Sequence, residues 1–150
     1  MRDRERIPPF IEALLKAWLL SPTLGFGELL ERIAYHDLYC CLPDINGHLG
    51  NPEVFSTEDA APLHNLNKFI EQGESISTNR GIECTLNENE KRKFLQDIQD
   101  IWLRKIDLRF GQFCHVFLFG SEHKWPKRSP LFPLGDSIVM KHLEKVKSQI

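Results

Sequence analysis

Chemistry-bearing motifs are scarce in this chain. It has no C-x-x-C pair, no phosphate-cradling glycine loop, no H-E-x-x-H and no G-x-S-x-G. Those absences remove the usual sequence signatures of dithiol redox enzymes, P-loop nucleotide binders, zinc proteases and α/β-hydrolases. Cysteine itself is sparse: Cys40 and Cys41 are adjacent, and Cys84 and Cys114 stand alone. That is too few for a disulfide framework, so reduced and mostly buried thiols are expected. No apolar run nears the roughly 20 residues needed to span a bilayer. The opening "MRDRERIPPF" also lacks the apolar stretch of a signal peptide. A cytoplasmic protein without a membrane partner is the expectation.

A dominant charge is missing as well. The net charge of −2 argues against a dedicated nucleic-acid binder. The distribution is uneven, with a net −6 over residues 1–84 and +4 over residues 85–150. Such a chain attracts its own other half, or offers a partner two surfaces of opposite sign. What is plentiful is ordinary: 41% hydrophobic and 27% charged residues describe a globular protein and exclude a disordered one. A chain of 150 residues fits one domain and buries roughly 70% of its unfolded surface on folding.

Within that ordinary composition the chain says nearly the same thing twice, "WLLSPTLGFG" at Trp18–Gly27 and "WLRKIDLRFG" at Trp102–Gly111. An offset of 84 residues superposes Phe10 on Phe94, Leu14 on Ile98, Trp18 on Trp102, Leu24 on Leu108, Phe26 on Phe110 and Gly27 on Gly111. Two of the three tryptophans fall under one offset, which marks an internal duplication. Ile7, Phe10, Ile11, Leu14, Leu15, Trp18 and Leu19 recur at helical spacing, as do Phe94, Leu95, Ile98, Ile101 and Trp102. Pro8 and Pro9 suit a first helical turn, and Thr85 with Glu88 predicts a capping box for the second copy.

Thr23 and Asp107 are then read as N-caps of a second helix in each copy, carrying Leu24 to Ile33 or Leu108 to Phe117. "FCHVFLFG" (Phe113–Gly120) has strand-like composition, but its repeat partner "LLERIAYH" reads as helix, and helix is the expectation. A third helix repeats with an offset of 77: Asp59, Leu63, Leu66 and Phe69 align with Asp136, Met140, Leu143 and Val146. Both aspartates are read as its N-caps. The expected fold is all-α: two tandem three-helix repeats with pseudo-two-fold packing around one shared core. One domain over residues 1–150 is divided into units 1–72 and 85–150 by a linker, 73–84.

The pattern W-x3-P-x-L-x-F-G resembles the motif of small bacterial helical proteins of the YihD-like type. Trp18, Pro22 and Leu24 match it in the first copy, and Trp102, Asp107 and Leu108 in the second. Ile106 stands where the motif has proline, Thr23 where it has aspartate, and here there are two copies. The resemblance implies a helical fold and carries no catalytic residues across.

Candidate sites lie mostly where the copies differ, in Asp37–Ser56 and Ser121–Gly135. "YHDLYCC" brings His36 four residues before Cys40; a thiol nucleophile needs such a base, yet no third residue orients the pair. A ligand site built from His36, Cys40 and His115 requires the repeats to pack face to face, and with Cys114 the same residues would be the only metal candidates. No metal and no cofactor is expected. "DINGHLGN" lacks the alternating acidic ligands of a calcium loop and reads as turn chemistry. "HKWPKR" (His123–Arg128) interleaves basic groups with Trp125, which has no counterpart in the first copy.

The leading expectation is a non-enzymatic protein that binds another protein, as an immunity, antitoxin or inhibitor protein does. Trp125, Lys124, Lys127, Arg128, Asp44 and His48 are its candidate contacts. The first alternative is a small enzyme or ligand-binding protein with its site between the repeats. The second is a nucleic-acid regulator whose Lys91, Arg92, Lys93, Arg104, Lys105, Arg109 and Lys124–Arg128 form one surface.

Overall fold

The structure, a computed structural model, describes residues 2–35, 58–73, 75–77, 84–118 and 136–149. All regular structure among them is helical. A short 3-10 turn at Arg4–Arg6 leads into α1 (Ile7–Leu20). Prolines occupy its opening turn, where their missing N–H groups cost no intrahelical bond. The face that repeats at helical spacing is the buried one: Ile7, Phe10, Ile11, Leu14 and Trp18 are all in the core.

The matching long helix is α4 (Glu88–Trp102), and it begins with a different box from the one expected. Asn87 Oδ1 accepts from Glu90 N at 2.8 Å, and Glu90 Oε1 accepts from Asn87 N at 3.1 Å. The Thr85–Glu88 box is therefore corrected to Asn87–Glu90. Asparagine is the stronger cap of the two, and the local "TLNENE" satisfies the pattern in either register.

Each long helix is followed by a turn and a helix that starts at the repeated phenylalanine. α2 (Phe26–Leu29) runs into a π-helical turn, Leu30–Ala34, and α5 (Phe110–Phe113) into another, Cys114–Leu118. The described part of "FCHVFLFG" is thus helical. Leu24 and Leu108 sit in the preceding turns, not in the helices. Their carbonyls accept the indole N–H of Trp18 at 2.7 Å and of Trp102 at 2.9 Å. Each ring therefore folds over its own turn and donates to a backbone acceptor of that turn.

The caps of α2 and α5 are the largest departure from expectation. Gly25 and Arg109 occupy the cap positions, not Thr23 and Asp107. The Phe26 N–H donates to Asp136 Oδ1 at 2.7 Å, and the Phe110 N–H donates to Asp59 Oδ1 at 2.7 Å. Each carboxylate is distant in sequence from the helix it caps, 110 residues from Phe26 and 51 from Phe110. Asp59 directly precedes α3 (Ala60–Gln72) but makes no side-chain cap there; Asp136 opens α6 (Asp136–Gln149). Both are caps, as read from the sequence, but Asp59 caps α5 and not its own helix, and Asp136 caps α2.

Further side chains cross in the same reciprocal way. Arg6 Nη2 donates to the Ile106 and Leu108 carbonyls at 2.6 and 2.9 Å, and its guanidinium lies 5.3 Å from the Trp102 ring centre. Lys91 Nζ donates to the Pro22 carbonyl at 3.0 Å and lies 5.1 Å from the Trp18 ring. Pro22 and Ile106 are 84 residues apart. On the outer side, Asn65 Nδ2 donates to Ala34 O at 2.9 Å, and His142 Nδ1 lies 2.6 Å from Leu118 O, a bond that requires the proton on Nδ1. Asn65 and His142 correspond under the 77-residue offset.

Between the halves lies one hydrophobic core drawing on each of the described helices α1 to α6. Phe10 meets the Trp102 and Phe110 rings at 5.5 and 4.8 Å, while Phe94 meets Trp18 and Phe26 at 6.0 and 5.0 Å. Phe26 and Phe110 approach each other at 6.4 Å. These tilted and edge-on contacts are the favourable ones for aromatic rings. α3 ends at Gly73, whose φ of 64° is the left-handed conformation that glycine adopts without strain. No described helix is long and apolar enough to cross a membrane.

Candidate functional site

Most residues singled out from the sequence fall in two segments, 36–57 and 119–135, that lie outside the described residues. They are His36, Cys40, Asp44, His48, Lys124, Trp125, Lys127 and Arg128. Equivalent elements frame both segments. Each leaves from the end of a π-helical turn, at Tyr35 or Leu118, and returns at or just before the carboxylate that caps the opposite half, Asp59 or Asp136.

His115 is the one member of the alternative ligand set within the described residues. Partial burial lowers its pKa and favours the neutral imidazole. Its neighbour Cys114 is fully buried, and burial followed by the nearby Asp59 charge pushes the thiol well above its ordinary value. Tyr35 is raised by the same causes, burial first and then the charges of Cys114 and Asp59. Such groups are protonated and inert near neutrality. Aromatic rings fill the space between the halves, and no group of three His, Cys, Asp or Glu among the described residues is placed to hold a metal.

The remaining described thiol, Cys84, is half-buried, and burial together with the Asp136 carboxylate pushes it up to about 11. Its alkylation should rise about tenfold per pH unit from pH 8 to pH 10, where an ordinary thiol levels off near pH 8.5 to 9. Iodoacetamide labelling followed by peptide mass spectrometry measures this, with Cys114 expected to stay unlabelled until the protein unfolds. A plateau below pH 9.5 at Cys84, or ready labelling of Cys114, would contradict the placement of these thiols.

Of the basic residues offered as a nucleic-acid surface, Lys124–Arg128 lie outside the described residues, and Lys91, Arg92, Lys93 and Arg109 have partners within the fold. Lys91 is 2% exposed. Arg92 pairs with Glu88 at 3.1 Å, Lys93 with Asp97 at 2.7 Å, and Arg109 with Glu58 at 2.9 Å. The Glu58 contact belongs to a network that sequence reading missed. Arg2 also pairs with Glu58 at 2.6 Å, and Arg6 pairs with Asp59 at 2.9 Å. Hydrogen bonds from Arg2 and Arg109 hold the Glu58 carboxyl below its ordinary range. Three arginines thus surround two consecutive carboxylates, Glu58 and Asp59, just ahead of α3, and Arg109 ties them to the start of α5.

A second feature missed from the sequence is apolar. Val116 and Ile138, 45% and 43% exposed, are the exposed large hydrophobic residues among those described. Val116 lies on the π-helical turn just before segment 119–135, and Ile138 in the first turn of α6 just after it. The corresponding positions of the first half hold Arg32 and Ala61. Arg32 donates to the Ser77 carbonyl and approaches Glu28 at 3.8 Å. Reading the two offsets for polarity differences, and not only for shared apolar positions, would have found the pair. No protein-family model, characterised protein or solved structure matches the chain.

Proposed function

We propose that this is a non-enzymatic protein-binding protein, acting on another protein in the manner of an immunity, antitoxin or inhibitor protein. In this reading two three-helix units, related by a pseudo-two-fold axis, build a rigid base. Equivalent caps, indole bonds and cation–ring contacts recurring at offsets of 84 and 77 support that relation. Kinship with the YihD-like proteins belongs to the same proposal and rests on the tryptophan turn alone.

The observation that carries partner binding is the asymmetry at segment 119–135. The duplicated unit is its own control: where the first copy has an engaged arginine and a small alanine, the second exposes Val116 and Ile138 beside the segment holding Trp125. Contiguous exposed apolar patches mark interaction surfaces, and in this reading Val116 and Ile138, which flank segment 119–135, contribute to one.

The test installs the first copy's own residues. Val116→Arg combined with Ile138→Ala, both at exposed positions, should change Tm by no more than about 2 °C. In affinity capture from the native host, the unaltered chain should recover one stoichiometric protein, and the double variant should lose at least tenfold of it. Equal recovery by both chains would overturn the assignment of this surface. Recovery of no protein by the unaltered chain would overturn the reading itself.

A further inference from the structure

The outer helix pair of the second half holds a groove of about 310 Å³ between α4 and α6. It is lined by Phe94, Met140 and Leu143 and by buried Asp97, with Glu90 and Glu144 exposed at its edge. In the first half, Ala13 and Ala17 are small and buried, and α3 packs against α1 over Leu66 and Phe69. The 84-residue offset puts Asp97 in the place of Ala13, and the 77-residue offset puts Lys147 in the place of Ile70. Asp97 is only 8% exposed and is held by Lys93 at 2.7 Å and Lys147 at 3.2 Å.

Replacing an apolar pair by a mostly buried ion pair seldom adds stability. The exchange has another consequence: it sets charge around an apolar hollow at the low end of the size range of small-molecule sites. We infer that this groove binds a small organic ammonium ion, its apolar body on Phe94, Met140 and Leu143 and its charge toward the carboxylate rim. Three lining carboxylates face two lysines, Lys93 in the lining and Lys147 on Asp97 and Glu144, so the excess is one negative charge, which favours a cation over an anion. A free amine is favoured over a peptide side chain because the groove can take the whole of a molecule such as an arylalkylamine. This inference is independent of partner binding at Val116 and Ile138.

The test uses the full chain and three probes of matched shape: 2-phenylethylammonium, 2-phenylethanol and 3-phenylpropionate. Titration followed by NMR chemical shifts should show saturable binding of the ammonium with a Kd near or below about 1 mM. It should bind at least threefold more tightly than the alcohol and more tightly still than the carboxylate. Met140→Trp, which fills the groove from a half-exposed position, should weaken ammonium binding at least tenfold, and Glu144→Gln should reduce the preference for it over the alcohol. Thermal melts of both variants confirm that they remain folded. No saturable ammonium binding, a preference below threefold, or unchanged binding by a folded Met140→Trp variant would overturn the inference.

Discussion

Asp59→Ala is expected to cost about 3–5 kcal/mol of folding stability, the loss typical of removing one partner of a buried ion pair. Asp59 carries two duties at once: one oxygen accepts the Phe110 N–H at 2.7 Å, and the other pairs with Arg6 Nε at 2.9 Å. Alanine would leave a helix-initiating N–H without its acceptor and a half-buried guanidinium without its counter-charge. The corresponding Asp136→Ala should cost only about 0.5–2 kcal/mol, the ordinary range for a lost cap. Asp136 caps Phe26 at 2.7 Å and is less buried than Asp59, and no arginine pairs with it among the described contacts. Urea unfolding of the two variants under identical conditions measures the contrast, and the Asp59 variant should also lose about 10 °C in Tm. Equal losses, or a loss below 1 kcal/mol for Asp59→Ala, would show that its ion pair is not a principal tie between the halves.

The same residues show what was legible in the sequence. Helix faces followed from periodicity because the positions that touch the core recur every three or four residues, and a repeated sequence doubles that signal. The helical state of Phe113–Leu118 was legible only through its partner segment, since its own composition favours a strand. Caps were not legible where the acceptor lies 110 residues away for Phe26 and 51 away for Phe110. Local rules search within three positions of a helix start, and they found Thr23 and Asp107 there. The Thr85–Glu88 box failed differently, since two registers fitted one polar stretch and the stronger cap, Asn87, prevailed. Lys91 gave no sign of burial because the groups that hold it, the Pro22 carbonyl and the Trp18 ring, belong to the other half. Of the candidate site residues, His115 was located, while the groups in 36–57 and 119–135 lie outside the described residues. Val116 and Ile138 escaped notice because a search for shared positions passes over the places where two copies disagree.

Trp18→Ala and Trp102→Ala should each remove about 3–5 kcal/mol, the usual result of truncating a buried aromatic residue to alanine. Both rings are fully buried, and each also leaves a turn carbonyl, Leu24 or Leu108, without its indole donor. Trp→Phe keeps most of the ring and isolates that bond: a loss of about 1–3 kcal/mol is expected at Trp18, and a smaller one at Trp102, where Arg6 Nη2 still donates to the Leu108 carbonyl at 2.9 Å. The more telling measurement is coupling. Lys91 of the second half lies over Trp18 of the first, and Arg6 of the first over Trp102 of the second. Double-mutant cycles of Trp18→Phe with Lys91→Met, and of Trp102→Phe with Arg6→Met, should give interaction energies of about 0.5–2 kcal/mol. The mismatched cycles, Trp18→Phe with Arg6→Met and Trp102→Phe with Lys91→Met, should be additive within about 0.5 kcal/mol. Coupling confined to the matched pairs means that each half holds the other's turn closed, so that neither cap nor tryptophan turn is complete without its neighbour. Coupling in the mismatched pairs, or none in the matched ones, would instead make the tryptophans ordinary core filler and leave the two cations as independent anchors.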